Sequence, residues 1–188
     1  VTTETPAKQA AKEKLAQAAE TKKQTITADN TLTEEEKTAA KNAVDRELRT
    51  ASDAVDAATD NAGVESAKTA GEEAINAITV ATPAKQAAKD ALDKAAETKK
   101  AEIASNSKLT AEEKAEETRK VEEALTSAKQ EVEKATTNAA VASAKTAGKE
   151  AINAVTTETP AKQAAKEELK QAAETKKQTI TADNTLTE

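Results

Sequence analysis

The chain has 188 residues and contains no Cys, His, Met, Phe, Trp or Tyr, with only three Gly and three Pro. Those absences remove zinc sites of the usual ligand type, thiol and imidazole catalysis, aromatic stacking on bases or sugars, and glycine-rich phosphate loops. Net charge is −6, from 28 Lys+Arg and 34 Asp+Glu of mixed order, with no basic stripe and no apolar run near the ~20 residues of a membrane span.

The expectation is therefore no enzyme, no cofactor, no metal and no catalytic or cofactor-binding residue. Nucleic acid, a small-molecule substrate and membrane insertion are poor candidates as partners. Of the apolar residues, 46 are Ala and only 23 are Val, Ile or Leu, so the spacing of the few large side chains carries most of the structural information.

The first predicted helix opens at Thr5-Pro6, where Thr serves as N-cap and Pro is tolerated because its missing N–H would have no intrahelical partner. It runs to about Ala28 and buries Ala11, Leu15, Ala18, Ala19 and Ile26. Asp29-Asn30-Thr31-Leu32 breaks it. Thr33 and Glu36 then form a capping box that starts a second helix, ending near Ala58. Its apolar face steps by four and three through Val44, Leu48, Ala51, Val55 and Ala58. Thr59-Asp60-Asn61 supplies the turn and cap of a third helix, about 62–78, with a face of Val64, Ala67, Gly71, Ala74 and Ile78 and with Ile75 beside it. Nothing alternates as a strand would.

The whole pattern then recurs. The string P-A-K-Q-A-A-K starts at Pro6, Pro83 and Pro160, a spacing of 77 residues each time. Residues 6–82 form one repeat and 83–159 a second, identical at 42 of 77 positions without a gap. Residues 155–188 match 1–34 at 32 of 34 positions, so 160–188 reads as the opening of a third repeat and 1–5 as the end of a preceding one. A chain that starts and stops in mid-pattern has the look of a piece of a longer array. The second-helix face is kept in Val121, Leu125, Ala128, Val132 and Ala135, whereas Ala40 becomes Glu117, Ala43 becomes Lys120 and Ala57 becomes Lys134. Those three positions are accordingly expected to lie off the buried face. Gly71 and Gly148 fall on the third helix's stripe and are expected to mark the closest helix approach.

Three apolar stripes per 77 residues call for an all-α fold: a three-helix bundle per repeat, with the bundles stacked end to end into an elongated rod. The connections Thr79-Val80-Ala81-Thr82 and Thr156-Thr157-Glu158-Thr159 contain neither Gly nor Ser, which makes stiff joints and not flexible tethers. Whether the helix runs through Pro83 is open at this level.

Several residues resemble a known family. They are Lys99-Lys100-Ala101-Glu102-Ile103, Leu109-Thr110-Ala111-Glu112-Glu113-Lys114, Ala135-Thr136-Thr137-Asn138-Ala139-Ala140-Val141 and Gly148-Lys149-Glu150-Ala151-Ile152. Together they resemble one repeat of the domain of unknown function 1542, found in tandem in large wall-anchored surface proteins of staphylococci, streptococci and lactobacilli. The resemblance extends over both full repeats and the partial third; Gly63, where the second copy has Ala140, is a minor departure. It implies an extracellular, cell-wall-attached stalk in proteins of adhesion and biofilm growth, and it implies no catalytic or ligand residue.

The functional expectation is thus a monomeric structural spacer that projects an adhesive tip domain away from a bacterial wall. The alternative is a binding module for a host protein or for the same repeat on a neighbouring cell. Two clusters kept between copies would be its candidate faces: Ala18-Ala19-Glu20-Thr21-Lys22-Lys23 and Ser66-Ala67-Lys68-Thr69-Ala70-Gly71. The acidic loop Asp29–Glu36 lacks the alternating ligands and central Gly of a calcium loop, and its second copy loses two carboxylates at Asn106 and Ala111. Helix capping is the simpler role. The adjacent pairs Glu116-Glu117 and Glu122-Glu123 read as solvated helix face.

Overall fold

The computed structural model describes residues 5–157 and 160–183. Among them are seven α-helices and no strand: α1 (Pro6–Ala28), α2 (Glu34–Ala57), α3 (Asn61–Ala77), α4 (Ala84–Ser105), α5 (Ala111–Lys134), α6 (Asn138–Ala154) and α7 (Ala161–Ala182). Local chemistry sets their starts. Thr5 Oγ1 accepts the Lys8 N–H at 3.3 Å, with Pro6 as the first helical residue. Thr33 and Glu36 exchange the two hydrogen bonds of a capping box. Asp60 caps α3 through the Gly63 N–H at 2.7 Å, and Thr137 caps α6 through the Ala140 N–H at 3.1 Å.

α3 ends at Ala77 and α4 begins at Ala84, so the helix breaks before Pro83. Proline disfavours a helical conformation in the residue ahead of it, and the intervening turn is the result.

The chain divides into two compact units that cut across the sequence repeats. One comprises Val1–Lys89 with Glu131–Ser143, the other Asp90–Gln130 with Ala144–Glu188. In the first, α1, α2 and α3 pack as a three-helix bundle around Leu15, Val44, Val55 and Ile75, with Ala11, Ala19, Ala51 and Val64 between them. This unit also takes in the first turns of α4 and α6 and the end of α5. In the second unit, the remaining stretches of α4, α5 and α6 bury Leu92, Ala96, Ile103, Val121, Ala128 and Ile152. α7 carries the same stripe as α1, yet Leu169 is 71% and Ile180 50% exposed. No counterparts of α2 and α3 follow it in these 188 residues.

Two details of the buried faces differ from the spacing-based expectation. The α3 stripe centres on Ile75, with Ala74 and Ile78 only half-buried. More consequential, Ala40 and Glu117 are both buried, at 7% and 4% exposure, although the change of residue suggested a drifting surface position. The reason is geometric: position 40 lies four residues before Val44 and prolongs the same stripe by one turn. Ala43 and Ala57, by contrast, are half-buried and exposed.

The two stripe glycines do stand at the tightest packing. A Cβ built on Gly71 would lie 2.7 Å from Leu15 Cδ2 and closer still to Ala51 Cβ; one on Gly148 would lie 2.8 Å from Leu92 Cδ2 and 2.5 Å from Ala128 Cβ. Any side chain there forces α3 or α6 away from its neighbours. Gly71→Ala should therefore destabilise the first unit by about 1–3 kcal/mol despite alanine's better helix propensity. Gly63→Ala, whose Cβ would meet nothing nearer than 3.2 Å, should cost far less. Urea unfolding of the two variants followed by circular dichroism checks the ordering.

Candidate functional site at the inter-repeat joint

The most elaborate polar arrangement lies where the loop after α1 meets the start of the next repeat, within the first compact unit. The loop begins with an Asx turn: Asp29 Oδ1 accepts from the Thr31 N–H at 2.8 Å and from Thr31 Oγ1 at 2.6 Å. The Thr31 hydroxyl, then its N–H, holds the Asp29 carboxyl below its ordinary range. The turn drives Leu32 and Thr33 inward, at 8% and 0% exposure, and places α2's first turn, Glu34-Glu35-Glu36, against the next repeat.

Glu36 then does two things at once. Its Oε2 accepts the Thr33 N–H at 2.9 Å, closing the capping box of its own helix, and its Oε1 accepts the Ala84 N–H at 2.7 Å, at the start of α4. Glu35 Oε2 accepts the Asn138 N–H at 3.2 Å, at the start of α6. The buried Thr33 hydroxyl donates to Asn138 Oδ1 at 2.7 Å, and the Glu34 N–H donates to the Thr136 carbonyl at 2.9 Å. Lys85, 5% exposed, crosses in the opposite direction: its Nζ donates to the Asn30 carbonyl at 3.0 Å and the Glu133 carbonyl at 2.8 Å. Three helix N-termini, those of α2, α4 and α6, thus converge. Each carries unpaired N–H groups and a partial positive charge, and acidic side chains satisfy both needs.

The second compact unit repeats the arrangement with α7. Glu113 Oε2 accepts the Thr110 N–H at 2.8 Å and its Oε1 accepts the Ala161 N–H at 2.6 Å, while Lys162 Nζ donates to the Ser107 carbonyl at 3.1 Å. Those two backbone donors, Thr110 first and Ala161 second, hold the Glu113 carboxyl below its ordinary range. Lys8, the equivalent lysine of the first repeat, donates to the Asp56 carbonyl at 2.7 Å, matching the Lys85 bond to Glu133. The sequence marks Thr33, Glu36, Thr110 and Glu113 as caps but gives no sign of the second use of each Glu or of the lysine. The recurrence of P-A-K at all three repeat starts is the one signal that points to it.

The other sequence candidates contribute several residues to contacts within the fold. In the cluster Ala18–Lys23, Ala19 is buried, Lys22 Nζ donates to the Asn76 carbonyl at 2.8 Å as Lys99 does to Asn153 at 3.0 Å, and Lys23 pairs with Asp45. In the cluster Ser66–Gly71, Lys68 pairs with Glu65 on its own helix and Gly71 sits in the core. These contacts involve Ala19, Lys22, Lys23, Lys68 and Gly71, whereas Glu20, Thr21, Ser66, Thr69 and Ala70 are exposed. Glu116 is held by Arg119 at 2.6 Å, which lowers its carboxyl's pKa, and Glu123 pairs with the same Arg119. Glu122 reaches Lys100 at 2.8 Å, and Glu117 turns inward, so neither adjacent pair forms a carboxylate dyad. Among the described residues no three acidic side chains stand together as an ion-binding group, and no helix is long and apolar enough to cross a membrane.

The profile of a family described as Domain of Unknown Function (DUF1542) matches residues 7–83 and again 84–160. No curated protein and no solved structure matches the chain.

The joint should respond to pH through Glu113. Its folded pKa lies below the unfolded value of about 4.3, so its contribution is complete above that value and is lost as pH falls through the lowered folded one. Thermal unfolding between pH 7 and pH 2.5 should show this loss below about pH 4. Glu113→Ala should lower the melting temperature at pH 7 and flatten the acid limb. An acid limb identical in the variant would remove Glu113 from the joint.

Proposed function

The chain belongs to the Domain of Unknown Function (DUF1542) family, with two tandem repeats across most of its length, and from that membership we propose that it is a structural spacer. In this reading it is a stalk segment of a bacterial cell-surface protein, attached to the wall outside the cell, that projects an adhesive tip domain outward. The observation that carries the reading is the joint. A linker between independent domains is ordinarily polar and flexible; here one glutamate caps a helix in each of two successive repeats, with a lysine returning the contact, and the device occurs twice.

A spacer needs length and stiffness and no chemistry. α1 has 23 residues, so at 1.5 Å per residue a repeat advances the array by about 35–50 Å, depending on the joint angle. The lean core suits the role as well: Ala packs helices closely with high helix propensity, and mixed surface charge keeps the segment soluble.

Small-angle X-ray scattering with light scattering at several concentrations tests this. The expected result is a monomer with a maximum dimension of about 100 Å or more. A compact particle with a radius of gyration near 16 Å would overturn the spacer. A concentration-dependent dimer would favour homophilic binding instead.

A further inference from the structure

The turn after the opening helix differs between the repeats in a way that sets a carboxamide beside an unengaged backbone nitrogen. Asp29 of repeat 1 is Asn106 in repeat 2, followed directly by Ser107, and both residues are exposed and outside the helices. Asn106 Oδ1 accepts the Lys108 N–H at 3.0 Å, in the same Asx turn that Asp29 makes with Thr31. A donor held there polarises the carboxamide carbonyl and stabilises an oxyanion forming on it. The Ser107 N–H donates to no group among the described residues; its carbonyl is engaged instead, by Lys162.

The other described asparagines lack this combination. Asn42, Asn61, Asn76, Asn138 and Asn153 lie in helices, whose fixed backbone dihedrals hold the following nitrogen away from the side-chain carbonyl. Asn30 stands in the loop of repeat 1, but the Thr31 nitrogen after it already donates to Asp29 and is crowded by a β-branched side chain.

We propose that Asn106 is a site of spontaneous deamidation, a covalent change closed to repeat 1 because Asp29 has no amide to lose. The Ser107 nitrogen, having given up its proton, attacks Asn106 Cγ. The Cγ–Nδ2 bond breaks, and Nδ2 leaves as ammonia with that proton restored to it. Water then opens the five-membered succinimide at one of its two carbonyls. Breaking the new Cγ–N bond gives aspartate, the residue repeat 1 already has. Breaking the original peptide C–N bond gives isoaspartate, whose chain runs through Cγ and is one methylene longer. Aspartate keeps the turn, as Asp29 does. Isoaspartate removes the Asn106 carbonyl to which the Leu109 N–H donates at 3.4 Å and displaces the Ser107 carbonyl from Lys162. The second joint therefore loosens as the chain ages.

Ageing the full chain at neutral and at mildly alkaline pH, followed by tryptic mapping, tests this. Fragment 101–108 contains Asn106 as its one Asn. It should gain the mass difference between NH₂ and OH about tenfold faster than fragments bearing a helical Asn. The gain should be faster at the higher pH and should split into two chromatographic products, aspartate and isoaspartate. Ser107→Val, which crowds the attacking nitrogen, should slow it while leaving the circular dichroism unchanged. The aged chain should melt below Asn106→Asp, which has the turn without the added methylene. A rate in 101–108 no higher than in the helical fragments would overturn the proposal. A rate unchanged in Ser107→Val would overturn it too, by assigning the loss of ammonia to direct attack by water.

Discussion

Helix N-termini do not tolerate burial without acceptors, and the joint brings three of them together. α2, α4 and α6 each bring unpaired N–H groups and a partial positive charge to one joint. Glu36 satisfies donors at Thr33 and Ala84, Glu35 one at Asn138, and the Thr33 hydroxyl holds the Asn138 side chain. Much else follows from this requirement. The loop after α1 must be short and turned inward, so Asp29 and Asn106 build Asx turns that set its course. The chain must also leave helix before each proline, since the free N–H of the following residue is what the glutamate receives.

The same requirement explains why the compact units ignore the repeat boundary. The first turns of α4 and α6 group by contact with the bundle whose loop caps them, although they belong by sequence to the next repeat. Stacked repeat proteins behave this way in general: each unit borrows stability from its neighbour's edge, and the array is stabilised by the interfaces as much as by the units. With only 23 Val, Ile and Leu in 188 residues, this chain has little large apolar side chain to bury within each unit. Close packing supplies the rest, as the contacts of Gly71 and Gly148 with Leu15, Ala51, Leu92 and Ala128 illustrate.

What the sequence revealed was local or periodic. Thr5-Pro6, Thr33 with Glu36 and the 77-residue recurrence of P-A-K-Q-A-A-K suffice for helix starts, repeat length and fold class. The joint was largely hidden because its contacts span great sequence distances: Glu36 meets Ala84 and Lys85 meets Asn30, and the recurring P-A-K marks Ala84 and Lys85 without naming their partners. Burial of position 117 was hidden for a different reason. Its two copies differ, and a change from Ala to Glu looks like surface drift unless the stripe is followed one turn past Val121. In the clusters Ala18–Lys23 and Ser66–Gly71, identity between copies mixes two kinds of residue: Lys22 reaches a carbonyl and Gly71 is packed inside, while Glu20, Thr21, Ser66, Thr69 and Ala70 stay exposed.

If the joint is part of the bundle it caps, the two must open together. Native-state amide hydrogen exchange measures that directly. The Ala84, Asn138 and Glu34 amides should exchange with the same opening free energy as the amides of Leu15 and Val55, because unit and joint unfold as one. Rapid exchange at Ala84, Asn138 and Glu34 while Leu15 and Val55 stay protected would show that the glutamate contacts carry no coupling, and the repeats would then be independent beads on a string.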